Sequence, residues 1–401
     1  MIIDNLILEK PIGKGAFGEV YLTSKNGDDK KKYATKKIDR AEIEKDERLK
    51  YLKNEIVILT YLKHPNIVKF EELKKTKKSY YIVQEFCNGG ELSKALEKYM
   101  EKYGKPFSEE IVQHFMRQII DAFKYMHERK IMHRNVKLDN ILINYDSEED
   151  KQNFNLMKGQ AKIIDFFFAC LINQSGLQYS TSGSSLNMDP LLLKKFNSSN
   201  NKTRQLGYGQ KADIWSLGTI CYEMLIGKTA FDEEDMADLF EKIESGKYIV
   251  PTTLSHEAIS FLNGMLQYDG KNRLTAEQLS KHDFLTKDVK DFKFHNLKKE
   301  NLKQSILVKY GDSGEIKFMN KAGCQLMKII YEKEEHQFVE KKKQGTKNNL
   351  CQLPSKRFPD NQAQHIGVMT QEKQNDFGKE VSVQSYTNSF IFSYSSGIFD
   401  I

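Results

Sequence analysis

Cysteine is scarce and poorly placed for crosslinking. The chain has five (Cys87, Cys170, Cys221, Cys324 and Cys351), an odd number, scattered, with no Cys-x-x-Cys spacing. That argues against a disulfide framework or a zinc site and predicts a reducing, cytoplasmic setting. Long apolar runs are also lacking. The longest, near residues 163–172, is interrupted by Asp165 and is too short to span a bilayer. The opening MIIDNLILEK has no basic segment followed by an apolar one, so no secretory leader is expected. Charge of one sign is nearly balanced out. Of the net +7, residues 286–401 contribute +5 (19 Lys/Arg against 14 Asp/Glu) and residues 1–285 only +2 (43 against 41). The densest basic run, Lys341-Lys342-Lys343, is short, which predicts a solvated surface and no nucleic-acid partner.

What is present suits a globular chain of two domains, or one large domain with an extension. There are 401 residues, 39% apolar and 29% charged. The stretches LILEKPIGKGAFGEVYLTS and KYATKKI carry the alternating, β-branched residues of strands, and NIVKFEEL (66–73) and SYYIVQEF (79–86) read as further strands. Between them, Leu49, Leu52, Ile56, Leu59 and Leu62 fall at helical spacing. After Asn88-Gly-Gly the pattern turns helical, over 91–102, 108–129, 211–227, 233–245, 255–266 and 275–281. The polar stretches 144–160 and 196–210 read as surface insertions. SILVKYGDSGEIKFM (305–319) reads as a hairpin, and the composition beyond 341 predicts disorder.

Chemistry concentrates in a few places. Gly13, Gly15 and Gly18 in GKGAFGEV let backbone approach phosphates, and the next element is a strand, unlike a dinucleotide fold. Lys36 ends that strand, and Glu55 on the following helix can supply its counter-charge. Each alone reads as a solvated charge; together, behind a glycine loop, they read as a phosphate clamp.

These residues, with HRNVKLDN, DFF at 165–167, MDPLL at 188–192, DIWSLG at 213–218 and Arg273, make residues 5–285 resemble the eukaryotic protein kinase family. The resemblance implies an α+β bilobal fold, with a small β-rich lobe over 5–86 and a larger helical lobe over 87–285. A small hairpin or helix extension (286–340) and a disordered tail (341–401) would follow. It implies ATP bound by Ile12, Gly13, Gly15, Gly18, Val20, Ala34, Lys36, Gln84, Glu85, Cys87, Glu91 and Leu142. It also implies Mg²⁺ held by Asn140 and Asp165. Lys137 resembles the serine/threonine branch, and LNMDP and AKIIDFFFA resemble the Unc-51-like autophagy kinases. The large helical lobe disfavours a small-molecule kinase of related fold. The hydroxyls from Tyr179 to Ser185 read for the most part as a solvated loop; any that were phosphorylated would have Arg134 as partner to the phosphate.

Three positions depart from the family. Asn135 stands where an aspartate takes the substrate's proton, and an amide has no basic lone pair for that role. Asp139 is the nearest replacement carboxylate. Phe167 replaces a glycine after Asp165, which predicts restricted movement of that carboxylate. Leu191 replaces a glutamate that pairs with the arginine at 273, which predicts that Arg273 has lost its expected partner unless it finds another acid. The expectation is a kinase-fold protein that binds ATP, is impaired in transfer and acts through a protein partner. The alternative is a weakly or genuinely active serine/threonine kinase acting on a protein substrate.

Overall fold

The computed structural model describes residues 2–15, 18–26, 28–44, 48–172, 187–197, 209–231, 233, 236–244, 248–293, 305–310 and 316–318. All lie in the unit Met1–Lys343. The unit Gln344–Ile401, the expected disordered tail, residues 198–208 of the second insertion and the hydroxyls from Tyr179 to Ser185 lie outside the described residues.

Alternating apolar residues build an antiparallel sheet from β1 (Ile2–Ile3), β2 (Leu6–Gly15), β3 (Gly18–Lys25), β4 (Asp28–Asp39), β5 (Phe70–Lys75) and β6 (Ser79–Glu85). Their spatial order is β1-β2-β3-β4-β6-β5. Ile3, Leu6, Leu8, Tyr33, Tyr81 and Val83 bury one cluster of it. Between β4 and β5 run α1 (Arg40–Ile43) and α2 (Arg48–Tyr61). The helical spacing of α2 buries Leu52, Ile56 and Leu59, and carries Glu55 inward with them. The strand expected over 66–73 begins only at Phe70. Its first residues leave the sheet, because Asn66 Nδ2 donates to the Gln118 side chain and the Ala161 carbonyl while Ile67 bridges to Ile163.

The helical part starts with β7 (Gly90–Glu91), α3 (Leu92–Tyr103) and α4 (Glu109–Glu128). Ser108 caps α4 by accepting from the Ile111 N–H, and Gly104 closes α3 in the left-handed region. Next come β8 (Ile131–Met132), β9 (Ile141–Asn144), α5 (Glu148–Gln152), β10 (Gln160–Ile163) and β11 (Cys170–Leu171). The polar stretch 144–160 is the excursion between β9 and β10, whose pairing closes at Asn144 opposite Gln160. Further on lie α6 (Pro190–Asn197), α7 (Lys211–Ile226), α8 (Met236–Glu244), β12 (Tyr248–Pro251), α9 (His256–Met265), α10 (Ala276–Ser280) and α11 (Asp283–Thr286). α7 is apolar almost all round and accordingly buried, with Trp215 stacked on Phe231. β13 (Ser305–Tyr310) pairs with β12 on one side and with β14 (Ile316–Phe318) on the other. Among the described residues no helix is long and apolar enough to cross a membrane.

Candidate functional site

Strand register gathers most of the expected nucleotide residues. Gly13 lies opposite Val20, Val20 opposite Lys36, and Ala34 opposite Gln84. Gly15 and Gly18 pair to close the glycine loop, and a β-carbon on Gly18 would collide with the Lys37 carbonyl. Ile12 sits exposed on β2. Glu91 on β7 lies opposite Leu142 on β9. Cys87 is buried, and burial pushes its thiol up to about 12, so it is inert toward electrophiles. The Glu85 carboxylate has a second use. It accepts from Lys162 Nζ at 3.0 Å and from the Lys69 N–H at 2.7 Å, so the segment leading to Cys87 is tied to β10 and to the loop before β5. Lys162 carried no signal in the sequence.

Lys36 reaches from β4 to both acids assigned to it or to the metal. Its Nζ lies 3.7 Å from Glu55 Oε2 and 3.9 Å from Asp165 Oδ1. Glu55 is 2% exposed. Burial raises its pKa, and the charge of Lys36 works against that rise. The Lys36 ammonium also lies over the Phe167 ring, 5.5 Å from its centroid.

The loop from His133 to Asn140 is fixed from below by α7. Asp213 Oδ2 accepts from the His133 N–H and its Oδ1 from the Arg134 N–H, while His127 Nε2 lies 3.0 Å from Oδ2. Burial opposes ionisation of Asp213, yet the His127 bond and the backbone N–H groups hold its pKa below the usual carboxylate value. Arg134 (φ 65°) and Asp165 (φ 63°) both take left-handed backbone, uncommon for side-chain-bearing residues. Arg134 Nε donates to the Phe168 carbonyl. Asn135 Nδ2 donates to Asp165 Oδ2 at 2.8 Å, and Asn140 Nδ2 donates to the Asn135 carbonyl at 2.7 Å. Lys137 is half-exposed with its Nζ 4.0 Å from Asp139, whose carboxylate also accepts from Ser93 Oγ.

Two of the three departures look different in three dimensions. Arg273 has not lost its acid. It is 2% exposed and pairs with Asp189, two residues before Leu191. The shift works because Asp189 precedes α6. Its Oδ1 caps the Leu191 and Leu192 N–H groups while Oδ2 faces the guanidinium. Arg273 also donates to the carbonyls of Gln267, Lys211 and Tyr268 and lies over Trp215. The sequence signal was the aspartate inside MDPLL, which the alignment by glutamate overlooked. Phe167, for its part, does not have positive φ. It is 1% exposed and packs on Tyr51 of α2 (centroids 5.6 Å) and on Phe168 (5.4 Å), so the replaced glycine has become an aromatic tie between α2 and the segment after Asp165. Phe166 packs edge-on to His133 at 4.9 Å.

Sequence reading also missed Glu223 on α7. Burial, with Asp139 and Glu97 nearby, pushes its carboxyl up to about 7. As for a divalent metal, the donor set fits in part. Asn140 turns its amide nitrogen to Asn135, which leaves the hard amide oxygen for a metal, but one Asp165 oxygen is engaged by Asn135.

A curled antiparallel sheet followed by a helical body, with Lys36, Glu55, Asp165 and the His133–Asn140 loop joined at one site, defines a bilobal α+β kinase fold. Residues 6–285 match the family model described as protein kinase domain. The chain belongs to the eukaryotic serine/threonine protein kinase family. It is 31% identical over 296 residues to serine/threonine-protein kinase atg1 of Dictyostelium discoideum, covering 72% of this chain and 40% of that one. It is 29% identical over 286 residues to the probable serine/threonine-protein kinase MARK-A of the same organism, covering 71% and 24%. It is 30% identical over 284 residues to Aurora kinase B-A of Xenopus laevis, covering 71% and 70%. This chain therefore spans less than half the length of the two Dictyostelium relatives.

Proposed function

We propose that this chain binds ATP, is impaired in phosphoryl transfer and acts chiefly through a protein partner. The observation that carries the reading is the bond from Asn135 to Asp165. The residue at the proton-accepting position is an amide, and its nitrogen is committed to the neighbouring carboxylate. A carboxylate can take a hydroxyl proton there; an amide cannot, and general bases contribute about 10²- to 10⁴-fold. Asp139 lies four residues on from Asn135, its exposed carboxylate accepting from Ser93 Oγ at 3.3 Å and lying 4.0 Å from Lys137 Nζ.

Support for nucleotide binding is the preserved frame of Gly13, Gly15, Gly18, Val20, Ala34 and Lys36 in register, with Lys36 beside Glu55. Bound ATP with Mg²⁺ supplies the transferable γ-phosphate and the charge neutralisation that the family uses. For their part, Lys36 would face the phosphates, while Asp165 Oδ1 and the Asn140 amide oxygen would face the cation.

A second reading, a weak serine/threonine kinase, is favoured by the Asp189–Arg273 pair, which keeps the start of α6 tied down where a protein substrate would dock. Transfer of labelled phosphate from ATP to a basic peptide and to the chain itself separates the two. The first reading expects a signal no higher than that of a Lys36→Ala variant, together with ATP-induced stabilisation of the parent. Robust transfer abolished by Lys36→Ala would instead establish the second.

A further inference from the structure

Both oxygens of the Asp165 carboxylate face donors from the chain itself. Lys36 Nζ lies 3.9 Å from Oδ1, and Asn135 Nδ2 donates to Oδ2 at 2.8 Å. An ionised carboxylate only accepts, so Asn135 must present its nitrogen, which fixes the orientation of the amide. The contact exists because of the substitution. An aspartate at 135 would set two carboxylates face to face at hydrogen-bond distance, an arrangement relieved by a shared proton or an intervening cation. With asparagine, one negative charge is gone from the site, and an N–H stands at an oxygen that a cation would otherwise take.

Two ammonium groups lie near this pair, each beside acids of the chain. Lys36 sits between Glu55 and Asp165, 3.7 Å from Glu55 Oε2 and 3.9 Å from Asp165 Oδ1. Lys137, on the same loop as Asn135, is half-exposed and lies 4.0 Å from Asp139.

We infer that Asn135 and Lys36 together do much of the neutralising that a divalent cation does in this family, so that this chain takes a nucleoside triphosphate without needing the metal. This rests on the nucleotide-binding reading above. The ligand is the metal-free triphosphate itself, and the residue that makes the difference is Asn135.

The test is calorimetric titration of ATP into the full chain, once in EDTA and once in excess Mg²⁺, for the parent and for Asn135→Asp. In the parent, the Kd in EDTA should be within about tenfold of that in Mg²⁺. In Asn135→Asp it should be weaker in EDTA by about 100-fold or more, since unit charges at such separations interact strongly off bulk water. Thermal shift on the parent with ATP in EDTA gives the same answer should Asn135→Asp fold poorly. Binding by the parent in Mg²⁺ only, or the same metal dependence in both proteins, would overturn the inference and leave nucleotide binding intact. No binding in either medium would overturn both.

Discussion

Replacing Asp189 by alanine tests whether its carboxylate does the work that a glutamate at 191 does in the family. The substitution strands the Arg273 guanidinium in a buried place, and breaking a buried pair from one side costs roughly 3–5 kcal/mol. Arg273 keeps three carbonyl acceptors, on Gln267, Lys211 and Tyr268, so the lower end applies, about 3 kcal/mol. The same carboxylate caps the Leu191 and Leu192 N–H groups, and losing a cap costs about 1 kcal/mol more. The sum, about 4 kcal/mol, corresponds to a Tm lower by roughly 8 °C at about 2 °C per kcal/mol for a domain of this size. Urea unfolding followed by tryptophan fluorescence suits the purpose, because Trp215 lies against Arg273 and is the single tryptophan. Adding Leu191→Glu to Asp189→Ala should recover part of the loss, since the acid returns to the position that the family uses. A loss under about 1 kcal/mol for Asp189→Ala would refute the reasoning, and would mean that the carbonyls alone satisfy Arg273.

Other changes have definite expected outcomes. Asn135→Asp should raise transfer to a basic peptide by on the order of 10²-fold, and the gain should disappear when Lys36→Ala is added. Phe167→Gly, a formal return to the family residue, should cost at least about 4 kcal/mol, because it empties a buried site between Tyr51 and Lys36. Urea midpoints would measure it, and a neutral result would show that the aromatic tie is not structural. Glu223 has a folded pKa of about 7 against an ordinary 4.5, so the folded state holds a proton that the unfolded state has lost. Stability from this group is therefore greatest below about pH 4.5, falls as pH rises toward 7, and stays low above it. Glu223→Gln should flatten that fall and stabilise the chain at pH 8 by about 1–2 kcal/mol, after allowance for the partial exposure of the group.

The sequence by itself determined the fold class and most of the frame of the site. Glycine spacing, strand alternation and the inward stripe of α2 are local properties with local periods, and they put Lys36 on a strand and Glu55 on a buried helix face before any contact was visible. Asn135 stood out only through the resemblance to the protein kinase family, where the same letter is an acid. Tertiary structure decided what each departure does. Asp189 and Arg273 are 84 residues apart, and only the start of α6 packed against the turn before α10 shows that the acid moved without being lost. Phe167 reads as an obstacle in a motif. In three dimensions it is a packing residue, since Tyr51 and Lys36, far away in sequence, supply the surface it fills. The bond from Asn135 to Asp165 has the same character. A side chain's identity fixes whether it can donate, but whether an acceptor lies 2.8 Å away is settled by the folding of distant segments onto each other.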